Sequence, residues 1–177
     1  GIMEALESIT SSPNLPTREI VPKAIYNVGR VCQDFVTKDD LVDKLFNIAL
    51  YDDYHDVRTS ALKVLYENID SKIFATPENM KSFQVFVNDD SVIVKRIALQ
   101  ILEKLVVYNP IGVTTITRNA LLDNFFIIRH VPGIRKRSRI ARILPDLIHA
   151  SAPTITAYSD GFMELVINIF KQYQENI

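Results

Sequence analysis

Apolar residues recur along the chain with the 3.6-residue period of an α-helix, and one stretch of this pattern returns at a fixed distance. Residues 53–69 align with residues 90–106 without gaps, at an offset of 37 residues. The shared positions are apolar or small and fall on one side of a helix. They pair Val57 with Val94, Ala61 with Ala98, Leu62 with Leu99, Leu65 with Leu102, and Ile69 with Val106. The pattern predicts two equivalent amphipathic helices, and the leading Asp53 and Asp90 are suited to N-caps.

Two further copies of the pattern extend the repeat in both directions. The upstream copy, again 37 residues away, consists of Ile20, Ala24, Ile25, Val28 and Cys32. The downstream copy, 42 residues away, consists of Ile140, Ala141, Ile143, Leu144, Leu147 and Ile148. Partner helices are predicted between the copies, over residues 40–51, 77–87 and 110–129. Thr76-Pro77 and Asn109-Pro110 mark the starts of two of them, since proline favours the first helical position.

Prolines in the last third of the chain predict departures from the repeat. Pro145 lies inside the helical pattern that begins near Gly133, where it removes a backbone donor and should kink the helix. Pro153 is expected to open a short helical turn before a last long helix over residues 158–175.

Units of two helices and 37–42 residues are typical of HEAT and armadillo arrays. The additional kinked helix of armadillo units is absent, which favours HEAT. The predicted fold is all-α, a right-handed α–α superhelix of about four helical hairpins, with residues 1–177 as a single solenoid. The apolar last helix, FMELVINIF, suggests a further neighbour, so we expect a fragment of a much larger protein.

Composition excludes several classes of protein. The formal net charge of -1 favours neither nucleic acid nor an acidic membrane as a ligand. Cys32 is the single cysteine, which rules out an intramolecular disulfide and favours a reducing compartment. Its position in a repeated apolar slot predicts a buried structural thiol.

The sequence shows little sign of chemistry. The five glycines form no phosphate-binding loop, and His55, His130 and His149 have no metal-ligand spacing with one another or with Cys32. The acidic pairs Asp39-Asp40 and Asp52-Asp53 precede helices, and capping explains them. We therefore expect no catalytic residue, no cofactor and no metal site.

One segment, RHVPGIRKRSRIAR, concentrates positive charge at a predicted helix start, where the helix dipole disfavours it. It could contact acidic groups of another protein domain, phosphate groups of nucleic acid or lipid, or only solvent. No aromatic residues alternate with the basic ones, which argues against stacking on single strands. Aromatic residues and arginine are favoured interface anchors. The candidate interaction surface is therefore Tyr54, Tyr108, Arg135, Lys136, Arg137, Arg139 and Arg142.

Several landmarks resemble the middle HEAT region of TOR (target of rapamycin) kinases, within the PI3-kinase-related kinases, and the E-N, N-D and N-P pairs among them are more specific than the repeat consensus. They stand in register at Glu78-Asn79, Val87-Asn88-Asp89, Val94-Lys95 and Asn109-Pro110, and continue to Arg118 and Leu121-Leu122. The resemblance covers about residues 41–170. Glu103-Lys104-Leu105 and Pro145 depart from the family pattern.

This resemblance implies a non-catalytic scaffold segment of a serine/threonine kinase that couples nutrient and growth signals to protein synthesis. The implied partners are other parts of the same kinase, a second protomer and a Raptor-like subunit, in the cytoplasm or peripherally on endomembranes. Two alternatives stay open: a free-standing HEAT adaptor for other proteins, and a phosphate or nucleic-acid binder that uses residues 135–142.

Overall fold

The computed structural model describes residues 2–32, 37–68, 70–130 and 133–158, together with residue 167, and every regular element among them is helical. The helices are α1 (Ile2–Ile9), α2 (Leu15–Val31), α3 (Lys38–Tyr51), α4 (His55–Asn68), a 3-10 helix (Ser71–Ala75), α5 (Pro77–Phe86), α6 (Val92–Leu105), α7 (Pro110–His130), α8 (Ile134–Ala141) and α9 (Leu144–Tyr158). The fold is an all-α helical repeat, as the apolar periodicity predicted.

Contacts between residues group the chain into two compact units, Gly1–Ile101 and Leu102–Ile177, and the boundary lies inside α6. The first unit contains α1 to α5 and most of α6, whereas the second contains α7 to α9. That residues 1–177 form a single solenoid stays a prediction.

The repeat predicted from the sequence is present in α4 and α6. Both helices are 14 residues long, and their first residues are 37 positions apart, as in the sequence. The paired apolar positions are all at most 2% exposed: Val57, Ala61, Leu62 and Leu65 in α4, and Val94, Ala98, Leu99 and Leu102 in α6. Ile69 lies outside the described residues. The recurring alanine and leucine positions therefore form the buried stripe of each helix.

The upstream copy of the repeat is displaced by one residue in α2. Ile25 is fully buried as predicted, but Ile20 is 64% exposed, and the buried residue of that turn is Val21. The prediction for Ile20 is wrong because the buried stripe runs through Val21, Ile25 and Gly29, at intervals of four residues. At Gly29 an added Cβ would lie 3.1 Å from Leu41 Cδ1, so this glycine permits the close approach of α2 and α3.

Cys32 does not occupy a buried slot. It is the residue after the last turn of α2, its backbone N–H donates to the Val28 carbonyl over 2.9 Å, and it is partly exposed. The expectation of a buried structural thiol is therefore wrong, because α2 ends one residue before it.

A cluster of phenylalanines forms the centre of the first unit. Phe46 of α3 contacts three fully buried rings, with ring centroids 5.7 Å away in each case. These rings belong to Phe74 in the 3-10 helix and to Phe83 and Phe86 in α5. The cluster joins three consecutive elements, and this contact explains why the 3-10 helix packs onto the core.

The helix starts predicted at Thr76-Pro77 and Asn109-Pro110 are confirmed by their hydrogen bonds. Thr76 accepts the backbone N–H of Asn79 over 3.3 Å, and Asn109 accepts that of Gly112 over 2.9 Å. In each case proline is the first helical residue. The first turn of α3 has a full capping box between Thr37 and Asp40.

The second unit differs from the prediction around its prolines. Residues 142 and 143 form a turn that separates α8 from α9, so two helices stand where one kinked, continuous helix was predicted. Pro145 is the second residue of α9, where its missing N–H costs no helical hydrogen bond. Pro153 lies within α9 and opens no separate turn. Because of the break, Ala141 and Ile148 are exposed, whereas Ile143, Leu144 and Leu147 of the downstream copy are buried as predicted. The side chain of Ile140 lies outside what the structure describes. Most of the predicted helix over residues 158–175 lies outside the described residues.

Candidate functional site

Two inter-helix turns of the first unit are joined by the side chain of Arg58, which extends from the first turn of α4. Its Nε and Nη2 atoms donate to the two carboxylate oxygens of Asp89, each over 2.9 Å, in a bidentate pair. Nη2 also donates to Asp90 over 2.6 Å. Nη1 donates to the carbonyls of Asp52 and Asp53, over 2.9 and 3.2 Å. One guanidinium therefore ties the α3–α4 turn to the α5–α6 turn.

The ion pair between Arg58 and Asp89 is shielded from solvent. Both side chains are only 10% exposed, whereas Asp90 is 81% exposed. The hydrogen bond with Asp89 raises the pKa of Arg58, against the opposing effect of burial. A buried guanidinium with all its charge-assisted bonds in place holds its partners in one geometry.

Asp52 extends the network to α2. Its Oδ2 atom accepts from Arg18 Nη2 over 2.5 Å, and the two side chains are 5% and 14% exposed. Its Oδ1 atom accepts the backbone N–H of Tyr54 over 2.9 Å. The Arg18 guanidinium also lies 5.0 Å from the centre of the Tyr54 ring, a cation–π distance. We call Arg18, Asp52, Arg58, Asp89 and Asp90 the turn network.

The turn network corrects the assignment of the aspartates as simple helix caps. The carbonyls of Tyr54 and Ser91, not of Asp53 and Asp90, accept the first hydrogen bonds of α4 and α6. Asp89 accepts the Ser91 N–H over 2.7 Å and thus stabilises the turn before the helix. Capping explains Asp40, but it does not explain Asp52, whose carboxylate pairs with Arg18.

The sequence contained a signal for the turn network that the pattern of apolar residues did not reveal. The acidic pairs Asp52-Asp53 and Asp89-Asp90 are separated by the repeat offset of 37 residues. Arg58 lies in the first turn of its helix, where the dipole disfavours positive charge. An arginine that the helix dipole disfavours, close to two turns that each contain an aspartate pair, indicates that the arginine forms ion pairs with those aspartates.

A cleft of about 690 Å³ borders the turn network in the first unit. Its wall includes Thr10, Arg18, Lys44, Tyr51 and Asp52. The Nε atom of Arg18 is buried and has no hydrogen-bond acceptor among the described residues. Asp52 and Asp53 also line the cleft and balance its two basic side chains, so the wall carries no net charge that would favour an ionic ligand.

The candidate interaction residues are distributed over both units. Tyr54 belongs to the first unit and is 46% exposed, with its ring against Arg18. Tyr108 belongs to the second unit and is 49% exposed in the turn between α6 and α7. The turn and the start of α7 both expose large apolar side chains, since Val107 is 82% and Ile111 is 72% exposed.

The basic residues come together on α8 and in the turn after it. Arg135 and Arg142 are exposed, and Arg137 is partly buried. The side chains of Lys136 and Arg139 lie outside what the structure describes. We call Arg135, Lys136, Arg137, Arg139 and Arg142 the basic surface.

Among the residues that the structure describes, no group of three histidine, cysteine, aspartate or glutamate side chains could hold a metal ion. None of the helices in the described ranges is long and apolar enough to cross a membrane.

Comparison with known proteins gives distant relatives. No family model matches the chain. The serine/threonine-protein kinase tor1 of Schizosaccharomyces pombe is 22% identical over 128 residues, which is 72% of this chain and 5% of that kinase. The serine/threonine-protein kinase TOR2 of Saccharomyces cerevisiae is 25% identical over 128 residues, again 72% of this chain and 5% of the kinase. The serine/threonine-protein kinase mTor of Drosophila melanogaster is 21% identical over 140 residues, 79% of this chain and 6% of the kinase.

The chain thus spans only about one-twentieth of the length of the curated relatives it matches. The similarity nevertheless covers most of this chain, in kinases from three organisms. It confirms the resemblance that the sequence landmarks indicated: this chain is a distant relative of one segment of the TOR serine/threonine kinases.

Proposed function

We propose that this chain is a non-catalytic scaffold segment of a TOR-like serine/threonine kinase, and that it mediates dimerisation and subunit assembly. The observation that carries the proposal is the similarity to TOR kinases over 72–79% of the chain. In this proposal the kinase activity belongs to another part of the parent protein, and the segment acts in the cytoplasm, with its complex able to lie on endomembranes.

The absence of catalytic motifs in the sequence supports a scaffold role for this segment. Phosphoryl transfer needs a backbone loop that cradles phosphates and carboxylates that hold magnesium. The sequence contains no glycine-rich phosphate loop. The adjacent carboxylates of Asp89 and Asp90 are already engaged by Arg58.

The turn network supports rigid presentation of the turns in the first unit. A scaffold must hold its contact residues in fixed positions, since ordering them during association would cost affinity. Tyr54 lies between Asp52, which accepts its backbone N–H, and Arg18, which packs on its ring. This exposed aromatic ring is therefore preorganised as an interface anchor.

The apolar turn after α6 provides a second contact region. Val107 and Tyr108 of this turn and Ile111 of the first turn of α7 are all exposed, and aromatic residues are favoured anchors near the centre of interfaces. In the proposed function this turn and the basic surface contact other parts of the same kinase, a second protomer or a Raptor-like subunit.

Charge reversal on the basic surface tests the assembly role. Arg135, Arg137 and Arg142 are changed together to glutamate in the full parent protein, and the mass of the native complex is measured by light scattering. The matched control changes Lys23, Lys63 and Lys81 to glutamate, since these exposed lysines of the first unit give the same change in charge. We expect a smaller complex only for the first variant. If both variants assemble like the wild type, the basic surface takes no part in assembly.

A phosphate-binding function is a second candidate, favoured by the exposure of Arg135 and Arg142 and by the lack of acidic residues from 124 to 145. Binding to anionic vesicles or to RNA would then fall steeply as salt rises, because each phosphate contact releases counterions. Salt-independent binding, or binding that survives the triple glutamate variant, would exclude this function.

A further inference from the structure

A serine hydroxyl lies in the middle of the basic surface, on the exposed side of α8. Ser138 is exposed, and so are Ile134, Arg135, Ala141 and Arg142. Ile134, Arg135 and Ala141 lie on α8 three or four residues from Ser138, which places them on the same face of the helix. Arg142 follows in the turn, four residues after Ser138. Ser138 is therefore the one described hydroxyl on this basic face, and neither the scaffold role nor the packing of α8 requires it.

The sequence around Ser138 has the charge pattern that basophilic protein kinases select. Arg135 stands three residues before the serine, Lys136 and Arg137 fill the next two positions, and Arg139 follows. Kinases discriminate substrates largely by the charge of residues near the acceptor, using acidic pockets in their own substrate groove. No acidic residue occurs between residues 124 and 145 to oppose such binding.

A kinase must take its acceptor serine in an extended conformation, so the helix that carries the serine has to open locally. α8 is only eight residues long, and isolated helices of that length are marginal. Three of its positive charges, at Arg135, Lys136 and Arg137, lie in its first turn, where the dipole disfavours them. Arg135 and Arg139 are also like charges at a spacing of four residues. The turn at residues 142 and 143 separates it from α9. Each of these features lowers the free energy of local opening.

We propose that Ser138 is a phosphorylation site for a basophilic serine/threonine protein kinase. The Ser138 hydroxyl oxygen attacks the γ-phosphorus of ATP held by that kinase, and a new oxygen–phosphorus bond forms. The bond between the γ-phosphorus and the bridging oxygen breaks, ADP leaves, and the hydroxyl proton passes to the catalytic base of the kinase.

The phosphate would then be bound by the arginines on either side of Ser138, one on α8 and one in the turn after it. Arg135 lies one turn before Ser138 and Arg142 one turn after it, and the Arg142 backbone N–H donates to the Ser138 carbonyl over 3.3 Å. A phosphoserine opposite arginines forms charge-assisted hydrogen bonds and adds a charge of about -1.5 to -2. The modification therefore removes much of the positive charge of the basic surface.

Phosphorylation of the purified 177-residue chain tests the proposal directly. The chain is incubated with ATP and the catalytic subunit of cyclic-AMP-dependent protein kinase, and the modified residue is located by mass spectrometry. We expect one phosphoryl group on Ser138 and none on Ser138→Ala. Modification at other residues only, or none at all while a standard peptide substrate is phosphorylated, overturns the proposal.

Two arginine variants separate recognition by the kinase from binding of the phosphate. Arg135→Ala should lower kcat/KM by about tenfold or more, whereas Arg142→Ala, on the other side of the serine, should change it by less than about twofold. Equal effects of the two substitutions would mean that general positive charge, and not the motif, is recognised.

The pKa of the second proton dissociation of phosphoserine 138 shows whether arginines bind the phosphate in the folded chain. This pKa is about 6 in an unconstrained phosphoserine and falls when arginines bind the dianion. Phosphorus NMR should therefore give a lower pKa in the phosphorylated chain than in a phosphorylated peptide of residues 131–144. Arg142→Ala should raise the pKa of the phosphate in the chain most of the way to its value in the peptide. The same pKa in chain and peptide would refute the binding of the phosphate by the helix.

Discussion

Replacing Arg58 by alanine tests whether the turn network holds the first unit together. The substitution removes the bidentate bonds to Asp89, the bond to Asp90 and the bonds to two turn carbonyls. It leaves the Asp89 carboxylate, 10% exposed, without its counter-ion, and breaking one partner of a buried pair costs about 3–5 kcal/mol. Since Asp90 is 81% exposed and regains water, we expect about 3 kcal/mol.

Thermal unfolding followed by circular dichroism measures this effect. At 2–4 °C per kcal/mol for a chain of this size, a loss of about 3 kcal/mol lowers the midpoint by about 6–12 °C. Lys63→Ala is the matched control, because Lys63 is an exposed basic residue on the same helix. It should change stability by less than about 0.5 kcal/mol.

The source of the loss can be separated with two further variants. Arg58→Lys keeps the positive charge but cannot make the bidentate pair, so its cost should lie between those of the wild type and Arg58→Ala. Combining Arg58→Ala with Asp89→Ala should cost less than the sum of the single changes, because the buried charge left by the first is removed by the second. Additive effects, or a loss below about 1 kcal/mol for Arg58→Ala, would refute the role assigned to the turn network.

Three further predictions follow from local features of the structure. Phe83→Ala in the phenylalanine cluster should cost about 3–5 kcal/mol in denaturant unfolding, whereas Val85→Ala, at an exposed position of the same helix, should cost far less. Hydrogen bonds from Thr37 lower the pKa of the Asp40 carboxyl group in the folded chain. The ionised carboxylate therefore stabilises the fold above the pKa of the unfolded chain, about 4, and this stabilisation is lost as the pH falls through the lower pKa of the folded chain. The stability difference between the wild type and Asp40→Ala should therefore shrink in acid, and a difference that grows there would contradict this sign. Gly133 has φ +110° and open space at its Cβ position, so Gly133→Ala should cost about 1 kcal/mol from backbone strain alone, and an unchanged midpoint would contradict this.

The parts of the fold that were predictable depend on local and periodic signals. Residues 53–69 and 90–106 share a period and an offset, and α4 and α6 bury the predicted positions. Thr76 and Asn109 are local capping signals that act within one turn, so the starts of α5 and α7 were readable from the sequence.

The sequence-based predictions were wrong where tertiary packing decides which residue is buried, or where two local structures of similar free energy are both compatible with the sequence. Ile20 and Val21 are adjacent apolar residues, and only the approach of α2 to α3 at Gly29 determines which of them is buried. Pro145 is compatible either with a kink inside a helix or with the first turn of a new one, and the latter loses no hydrogen bond.

The candidate site was predictable only in part, for a similar reason. The basic surface is a cluster along the chain, so its residues could be named from the sequence. Arg58 and Asp89 are 31 positions apart and meet only because consecutive repeats stack their turns on the same side. The pattern of apolar residues along the chain therefore does not predict such polar pairs between repeats.

Capture of the native parent protein tests the central claim most directly. An antibody against residues 37–68 is used to isolate the polypeptide from cells, and its length and its phosphoryl transfer to a serine/threonine peptide are measured. We predict a polypeptide many times longer than this chain that copurifies with serine/threonine kinase activity, and that loses its subunits, but not the activity of its kinase domain, when the segment is deleted. A short polypeptide without a kinase domain would contradict the account and leave a free-standing adaptor.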